Sequence, residues 1–144
     1  ALRSSDTGDC RTALCGSPLL HLYGKGCYAI MEKAHQDIPW VPHAEISPEP
    51  CGPGVQRRVL AYSKDAMCVE NTFETGGVGA MHCHPHTQIT YIVSGRYRFT
   101  IGDETREVGP GDTLLKQNGV MHGCVCLEGG VMLDFFTPMR EDFV

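Results

Sequence analysis

The sequence of 144 residues predicts an all-β fold, a jelly-roll barrel built from antiparallel strands. Short runs rich in β-branched and aromatic residues recur from residue 56 onward, and turn residues separate them at short intervals. No window in this half of the chain has the periodicity of an amphipathic helix. Many short strands joined by tight turns are typical of barrels and sandwiches, in which few sheet edges are left open.

The N-terminal part of the chain has a different composition. Residues 1–30 are rich in Ser, Gly, Thr and Cys, so we expect a poorly structured leader or extension there, followed by a barrel domain over residues 31–144. The chain begins with Ala, and Met31 is a candidate natural start. Five prolines between residues 37 and 54 exclude long regular structure and predict an extended arm over the barrel edge, with Trp40 packed onto the body.

Seven segments of the remaining chain have the composition of strands. They are residues 59–62, 67–73, 89–93, 97–101, 113–115, 124–127 and 131–136. Turn residues lie between them, as in Ser94-Gly95 and Asn118-Gly119. At the fourth segment two arginines, Arg96 and Arg98, alternate with aromatic residues, which predicts that the arginines face solvent; the alternative is that they bind a carboxylate.

Composition excludes several classes of partner. The net charge is −5 and there is no basic run, which argues against binding of nucleic acid. No run approaches the roughly 20 apolar residues that span a bilayer, and we expect no membrane partner. The eight cysteines include no C-x-x-C pair, so reduced thiols in a cytoplasmic protein are expected; a disulfide among Cys10, Cys15 and Cys27 is the alternative.

The strongest functional signal is a group of histidines. His82 and His84 are two residues apart, which places both side chains on one face of a strand, and Gln88 keeps the same parity. With His122 from a later strand, they predict a site of three imidazoles and one amide oxygen for a divalent transition metal ion. This set of ligands does not choose among Fe, Mn, Co, Ni, Cu and Zn. The alternatives are polar barrel positions without an ion and, for Gln88, a hydrogen-bond partner behind the ligands.

Neighbouring residues have simpler interpretations. His86 shares the parity of the other histidines, but Pro85 can twist the strand, so we expect His86 at the rim of the site. Cys83 should point away from the ion. Cys124 and Cys126 share the parity of His122, which predicts that they line the barrel as small apolar residues.

These positions resemble the two sequence motifs of the cupins. The first motif corresponds to Gly76, His82, His84, Gln88 and Gly95, and the second to Gly111, Asp112, Gly119 and His122. The resemblance covers roughly residues 57–138 and implies the cupin double-stranded β-helix. The chain departs from the usual pattern at three positions: Gln88 stands where a Glu is usual, Gln117 where a Pro is usual and Cys126 where an Asn is frequent.

The C-terminal residues 134–143 are similar to the ending of the small pectin-degradation cupins of the KdgF type. This resemblance implies a metal-dependent enzyme that converts 4,5-unsaturated uronates to the linear 5-keto-4-deoxyuronate. It also implies that Asp134, Phe136 and Arg140 take part in the reaction, and cupins of this size suggest a homodimer. The other functions that remain open are a cupin dioxygenase or cyclase and a non-catalytic cupin that binds a metal or a small molecule.

The residue types are consistent with an anionic sugar-acid substrate. Neutral imidazoles and a neutral amide leave a bound cation with its full charge, which favours an anionic ligand. If Asp134 and Phe136 face the interior, the carboxylate can transfer protons and the ring can pack against the sugar. Arg140 can then donate two parallel hydrogen bonds to a carboxylate. The alternative is an Asp134–Arg140 ion pair that only fixes the C-terminal tail.

Overall fold

The computed structural model describes residues 35–144. This part of the chain forms ten β-strands and two single 3₁₀ turns, at His43–Glu45 and Glu141–Phe143. The strands are β1 (Glu49–Gly52), β2 (Val55–Tyr62), β3 (Met67–Phe73), β4 (Val78–His82), β5 (Thr87–Ile92), β6 (Arg96–Ile101), β7 (Glu104–Val108), β8 (Thr113–Lys116), β9 (His122–Glu128) and β10 (Gly130–Thr137). None of the described residues belongs to a helix that could cross a membrane.

The strands form two antiparallel sheets. One has six strands in the order β1-β2-β3-β10-β5-β8, and the other has four in the order β4-β9-β6-β7. Consecutive strands such as β4 and β5 therefore lie in different sheets, as in a jelly roll. The predicted all-β barrel of antiparallel strands is confirmed.

Side-chain alternation supplies the core between the sheets. In β6, Tyr97 and Phe99 are buried while Arg96 and Arg98 are exposed and pair with glutamates, which confirms the prediction for this strand. Cys124 and Cys126 belong to the same apolar cluster as Tyr97, so their prediction as small core residues is also confirmed. A second cluster contains Tyr62, Met67, Val69, Phe136 and Met139 and packs against the C-terminal residues.

All seven predicted strands are present, and three others were missed. β1 contains Pro50 and lies at a sheet edge, where a residue without an N–H is tolerated. β7 is also an edge strand, and its charged residues are exposed on both faces, so they give no alternation of apolar and polar residues. β4 contains a glycine and an alanine and has no strand-like composition. In each case pairing with a neighbouring strand outweighs the local sequence preference.

The proline-rich arm is attached differently from the prediction. Trp40 does not pack onto the body, because 86% of its surface is exposed. His35 takes this role: its ring nitrogen lies 3.0 Å from the carbonyl oxygen of Val59, and its ring packs edge-on against Tyr62. The amide of Asp37 also donates to the Tyr62 carbonyl at 2.9 Å. Hydrogen bonds to strand β2 therefore attach the beginning of the arm to the barrel, without a contact from Trp40.

The cysteines are in two states. Cys68, Cys124 and Cys126 have free thiols, as expected. Cys83 is disulfide-bonded, so the expectation of reduced thiols is wrong at this position. The predicted leader, residues 1–30, and the alternative disulfide among Cys10, Cys15 and Cys27 lie outside the described residues.

Candidate metal centre and active site

The site forms where the chain crosses from one sheet to the other. β4 ends at His82 in the four-stranded sheet, and β5 begins at Thr87 in the six-stranded sheet. His84 lies on the crossing segment, so the expectation that both histidines share one regular strand is wrong. Pro85 lacks an N–H and disfavours continuation of the ladder. The crossing is fixed instead by the amide of Gly119, which donates to the carbonyl oxygen of His84 at 3.0 Å.

Three histidines nevertheless come together. His82 and His122 are paired across β4 and β9, and one ligand nitrogen from each of His82, His84 and His122 lies within 4.8 Å of the others. The ring centroids of His82 and His122 are 4.5 Å apart, and those of His84 and His122 are 5.0 Å apart. His84 and His122 are buried, whereas His82 is half-buried. Among the described residues, this is the group whose spacing suits one metal ion.

Hydrogen bonds set the tautomers of two of these rings. His82 Nδ1 lies 2.7 Å from the Ala80 carbonyl oxygen, and His122 Nδ1 lies 2.9 Å from the Val120 carbonyl oxygen. A carbonyl can only accept, so each Nδ1 carries the proton and each Nε2 keeps a lone pair. The Nε2 of His122 is buried and has no hydrogen-bond partner in the described part of the chain. An orphaned lone pair among imidazoles fits a metal ligand.

Gln88 joins the histidines to a carboxylate. Its amide oxygen lies 3.0 Å from His84 Nε2, and its amide nitrogen donates to Asp134 Oδ1 at 2.7 Å. An ionised carboxylate accepts hydrogen bonds only, so the amide must turn its NH₂ group toward Asp134. Its oxygen consequently faces the imidazoles, which is the orientation of a fourth ligand.

Asp134 is buried and held by several donors. Asn71 donates to Oδ2 at 2.7 Å, while Thr90 and Gln88 donate to Oδ1. Lys116 lies 3.8 Å from Oδ1 and donates to the Thr90 hydroxyl. The alternative of an Asp134–Arg140 ion pair is wrong, because the cation beside Asp134 is Lys116 and Arg140 pairs with Asp142. Asp134 lies on the same side of β10 as Met132 and Phe136, which are also buried.

The C-terminal tail brings Phe136 and Arg140 to the same region. The ring of Phe136 lies edge-on to His84, with centroids 5.7 Å apart. Arg140 forms a two-pronged ion pair with Asp142, at 2.9 Å and 2.7 Å. Its guanidinium carbon lies 5.5 Å from the centroid of Phe136 and 4.3 Å from that of Phe143. His86 lies beside the ring of His84 and outside the three-histidine group, in agreement with a position at the rim.

Comparison with known proteins agrees with this geometry. Residues 69–136 match the family model for the cupin domain. The pectin degradation protein KdgF of Dickeya dadantii (strain 3937) is 38% identical over 98 residues, which covers 67% of this chain and 89% of that protein. The chain belongs to the KdgF-type cupins.

Solved structures of cupins superpose on most of the chain. KdgF from Halomonas sp. is 34% identical, with a TM-score of 0.70, and covers 73% of this chain and 97% of its own. An RmlC-like cupin from Shewanella frigidimarina NCIMB 400 is 32% identical, with a TM-score of 0.73, and covers 76% of this chain and 99% of its own. The likeness therefore extends over nearly the whole length of each relative.

The environment keeps two imidazoles of this cupin, those of His84 and His122, neutral. Burial, together with the nearby Arg140 guanidinium, lowers the pKa of His84 to about 3. Burial also lowers the pKa of His122 to about 4, against the opposing effect of its hydrogen bond to Val120. Neutral imidazole is the form that ligates metals, so both rings are ready to bind at neutral pH.

Three interior polar residues of this cupin were missed by sequence reasoning: Asn71, Thr90 and Lys116. Lys116 is 1% exposed, and burial lowers the pKa of its ammonium group, opposed by the charge of Asp134. Strand alternation was the available signal, because Lys116 follows buried Leu114 by two residues. The predicted strand ends at residue 115, one position before Lys116, so the sequence did not predict this interior cation.

Proposed function

We propose that this cupin is a metal-dependent enzyme that converts a 4,5-unsaturated uronate to the linear 5-keto-4-deoxyuronate. The observation that carries the proposal is the amide of Gln88, which connects the histidine group to the buried carboxylate of Asp134. An ion site with an adjacent acid–base group suits sugar chemistry. The pectin-degradation role named for the Dickeya dadantii relative supports a substrate derived from a uronate polymer.

The metal ligands in this proposal are His82, His84, Gln88 and His122. Imidazole and amide ligands carry no negative charge, so a bound divalent ion keeps its full charge and attracts an anionic ligand. The chemistry that such an ion supplies when bound is polarisation of a substrate hydroxyl or carbonyl oxygen.

Proton transfer is assigned to Asp134. The reaction is an isomerisation and consumes no second reactant: the anomeric hydroxyl loses a proton, the bond between C1 and the ring oxygen breaks, and C4 gains a proton as C5 becomes a ketone. Asp134 Oδ2 accepts one hydrogen bond, from Asn71, and retains a lone pair. That oxygen is suited to accept the hydroxyl proton and to return a proton to the sugar.

Phe136 and Arg140 position the substrate. The Phe136 ring beside His84 offers an apolar surface to the sugar ring. Arg140 uses Nε and Nη2 to bind Asp142, which leaves N–H donors for the carboxylate of a uronate. A guanidinium held by one carboxylate is preorganised to bind another.

The proposed reaction is tested by measuring the absorbance of the ring alkene in the substrate. Purified protein loaded with a divalent metal is incubated with unsaturated galacturonate, and loss of alkene absorbance is compared with the spontaneous rate. Acceleration is the expected result. A rate equal to the spontaneous one excludes this substrate, and oxygen uptake in place of alkene loss would indicate a dioxygenase.

We also propose that the protein is a cytoplasmic homodimer. On the outer face of the six-stranded sheet, three apolar side chains lie side by side on β5, β8 and β10. They are Ile89, Leu115 and Phe135, exposed by 45%, 54% and 42%. A patch of this kind on paired strands suits the same patch on a second copy. The free thiols of Cys68, Cys124 and Cys126 support a reducing compartment, and the disulfide of Cys83 argues against it.

A further inference from the structure

Arg57 is a cation without a counter-charge among the described residues. It lies on β2 between Val55, which is buried in the core, and Val59, which packs against the second apolar cluster, so strand alternation turns it toward the interior. Its Nε is buried and has no hydrogen-bond partner, and the described residues offer it no ion pair. A buried donor without a partner lowers the stability of the fold, and a ligand that accepts a hydrogen bond from it restores the lost interaction.

Contacts with the C-terminal tail place Arg57 at the candidate active site. Its guanidinium carbon lies 3.8 Å from the centroid of Phe143, the ring that Arg140 also covers at 4.3 Å. Phe143 is edge-on to Phe136, with centroids 5.7 Å apart. In the strand register, Arg57 pairs with Asn71, whose side chain donates to Asp134. Arg57 is thus linked to Arg140 through Phe143 and to Asp134 through Asn71.

The two guanidinium groups around Phe143 differ in charge balance. Asp142 neutralises Arg140 through two hydrogen bonds, whereas Arg57 has no acidic neighbour in the described chain that pairs with it. Two cations over one ring raise the positive potential around it, and an anion bound there lowers that potential. The planar fork of guanidinium is well matched to a carboxylate.

We propose that Arg57 is a second carboxylate-binding residue, which holds the uronate carboxylate together with Arg140. This inference rests on the proposed function for the identity of the ligand as a sugar acid. It predicts selectivity between an acid and its ester, because an ester cannot supply the missing negative charge.

Calorimetric titration of the metal-loaded protein tests the inference with D-galacturonate and its methyl ester as probes. Arg57→Gln is expected to weaken binding of the acid by about tenfold to a hundredfold, since one charge-assisted hydrogen-bonded contact is lost. Binding of the ester should not change. Arg98→Gln, which removes the same charge from the exposed face of β6, is the matched control and should leave both affinities unchanged.

Three results would overturn the inference. They are an unchanged affinity of Arg57→Gln for the acid, an equal loss for acid and ester, and a wild-type protein that does not prefer the acid. If Arg57 only fixes the tail through Phe143, the variant melts at a lower temperature and its acid-to-ester ratio stays constant. The alkene assay on wild-type protein is independent: acid-selective binding without turnover refutes the ring-opening reaction and leaves the carboxylate site standing.

Discussion

The amide nitrogen of Gln88 donates to Asp134 Oδ1 at 2.7 Å, and the amide oxygen of the same residue lies 3.0 Å from His84 Nε2. One neutral side chain therefore contacts both the histidine group and the proposed acid–base residue. A change at this position alters the ligand set and the carboxylate together, which makes Gln88 the most informative position for mutation.

Gln88→Glu is expected to retain the metal and to lose most of the turnover. A carboxylate is an adequate ligand, but it places a negative charge against Asp134 and removes the donor to Oδ1. The added charge also reduces the attraction for an anionic substrate, so KM should rise while kcat falls. Elemental analysis and steady-state kinetics check both effects. Kinetic constants equal to those of the wild type would show that neutrality at this position is unimportant.

Asp134→Asn should lower kcat by about a hundredfold to ten-thousandfold, the usual contribution of a general acid–base group. Metal content should stay the same, because Asp134 does not belong to the histidine group. The alkene assay and elemental analysis of the same preparation separate the two effects. Full activity in this variant would assign the proton transfer to another residue.

His84→Ala should lose the metal, since His84 supplies a ligand nitrogen in the three-histidine group. His86→Ala is the matched control, because its ring is next to His84 and outside that group. Elemental analysis after dialysis against metal-free buffer should give bound metal in the control and none in His84→Ala. Equal metal content in the two variants would contradict the assigned ligand set.

Lys116→Met should destabilise the fold by about 3–5 kcal/mol, since it leaves the buried Asp134 without its cation. In the double variant Lys116→Met/Asp134→Asn neither charge is present, so the loss should be smaller than the sum of the two single losses. Urea unfolding of the wild type and the three variants completes the cycle. Strictly additive losses would show that the two charges are not coupled.

Ile89→Glu should convert the proposed dimer to a monomer, because it places a charge between Phe135 and Leu115, in the centre of the apolar patch. Val125→Glu makes the same change at an exposed position of β9, in the four-stranded sheet, and should leave the dimer intact. Sedimentation velocity of both variants and the wild type measures the assembly. A monomeric wild type would exclude the homodimer directly.

Local patterns were sufficient to predict the barrel and the three-histidine group. Alternation in β6 separates Tyr97 and Phe99 from the two arginines, and the same rule applies over short runs elsewhere. The histidine spacing also predicted three residues that come together, although the assumed geometry was wrong. Residues that are two positions apart stay close in space even where the chain turns. His82 and His84 therefore lie near each other although they do not share a regular strand.

Features that depend on distant parts of the chain could not be predicted. The hydrogen bonds of Asp134 come from β3 and β5, and the cation beside it comes from β8. Their convergence follows from strand order, which a single sequence does not specify. Trp40 was predicted to be buried only because it is large and apolar, and it is exposed. His35, which contacts β2 instead, has no local sequence signal that predicts this role.

Because the chain crosses between the two sheets from β4 to β5, the proposed ion would connect the sheets. His82 belongs to the four-stranded sheet and Gln88 to the six-stranded sheet, so an ion bound to both is a non-covalent cross-link across the barrel. His122, 40 positions after His82 in sequence, becomes a neighbour only once β9 has paired with β4. The ligands therefore come together only when the barrel closes, and metal binding stabilises the closed form alone. Acquisition of the metal would then coincide with completion of the fold.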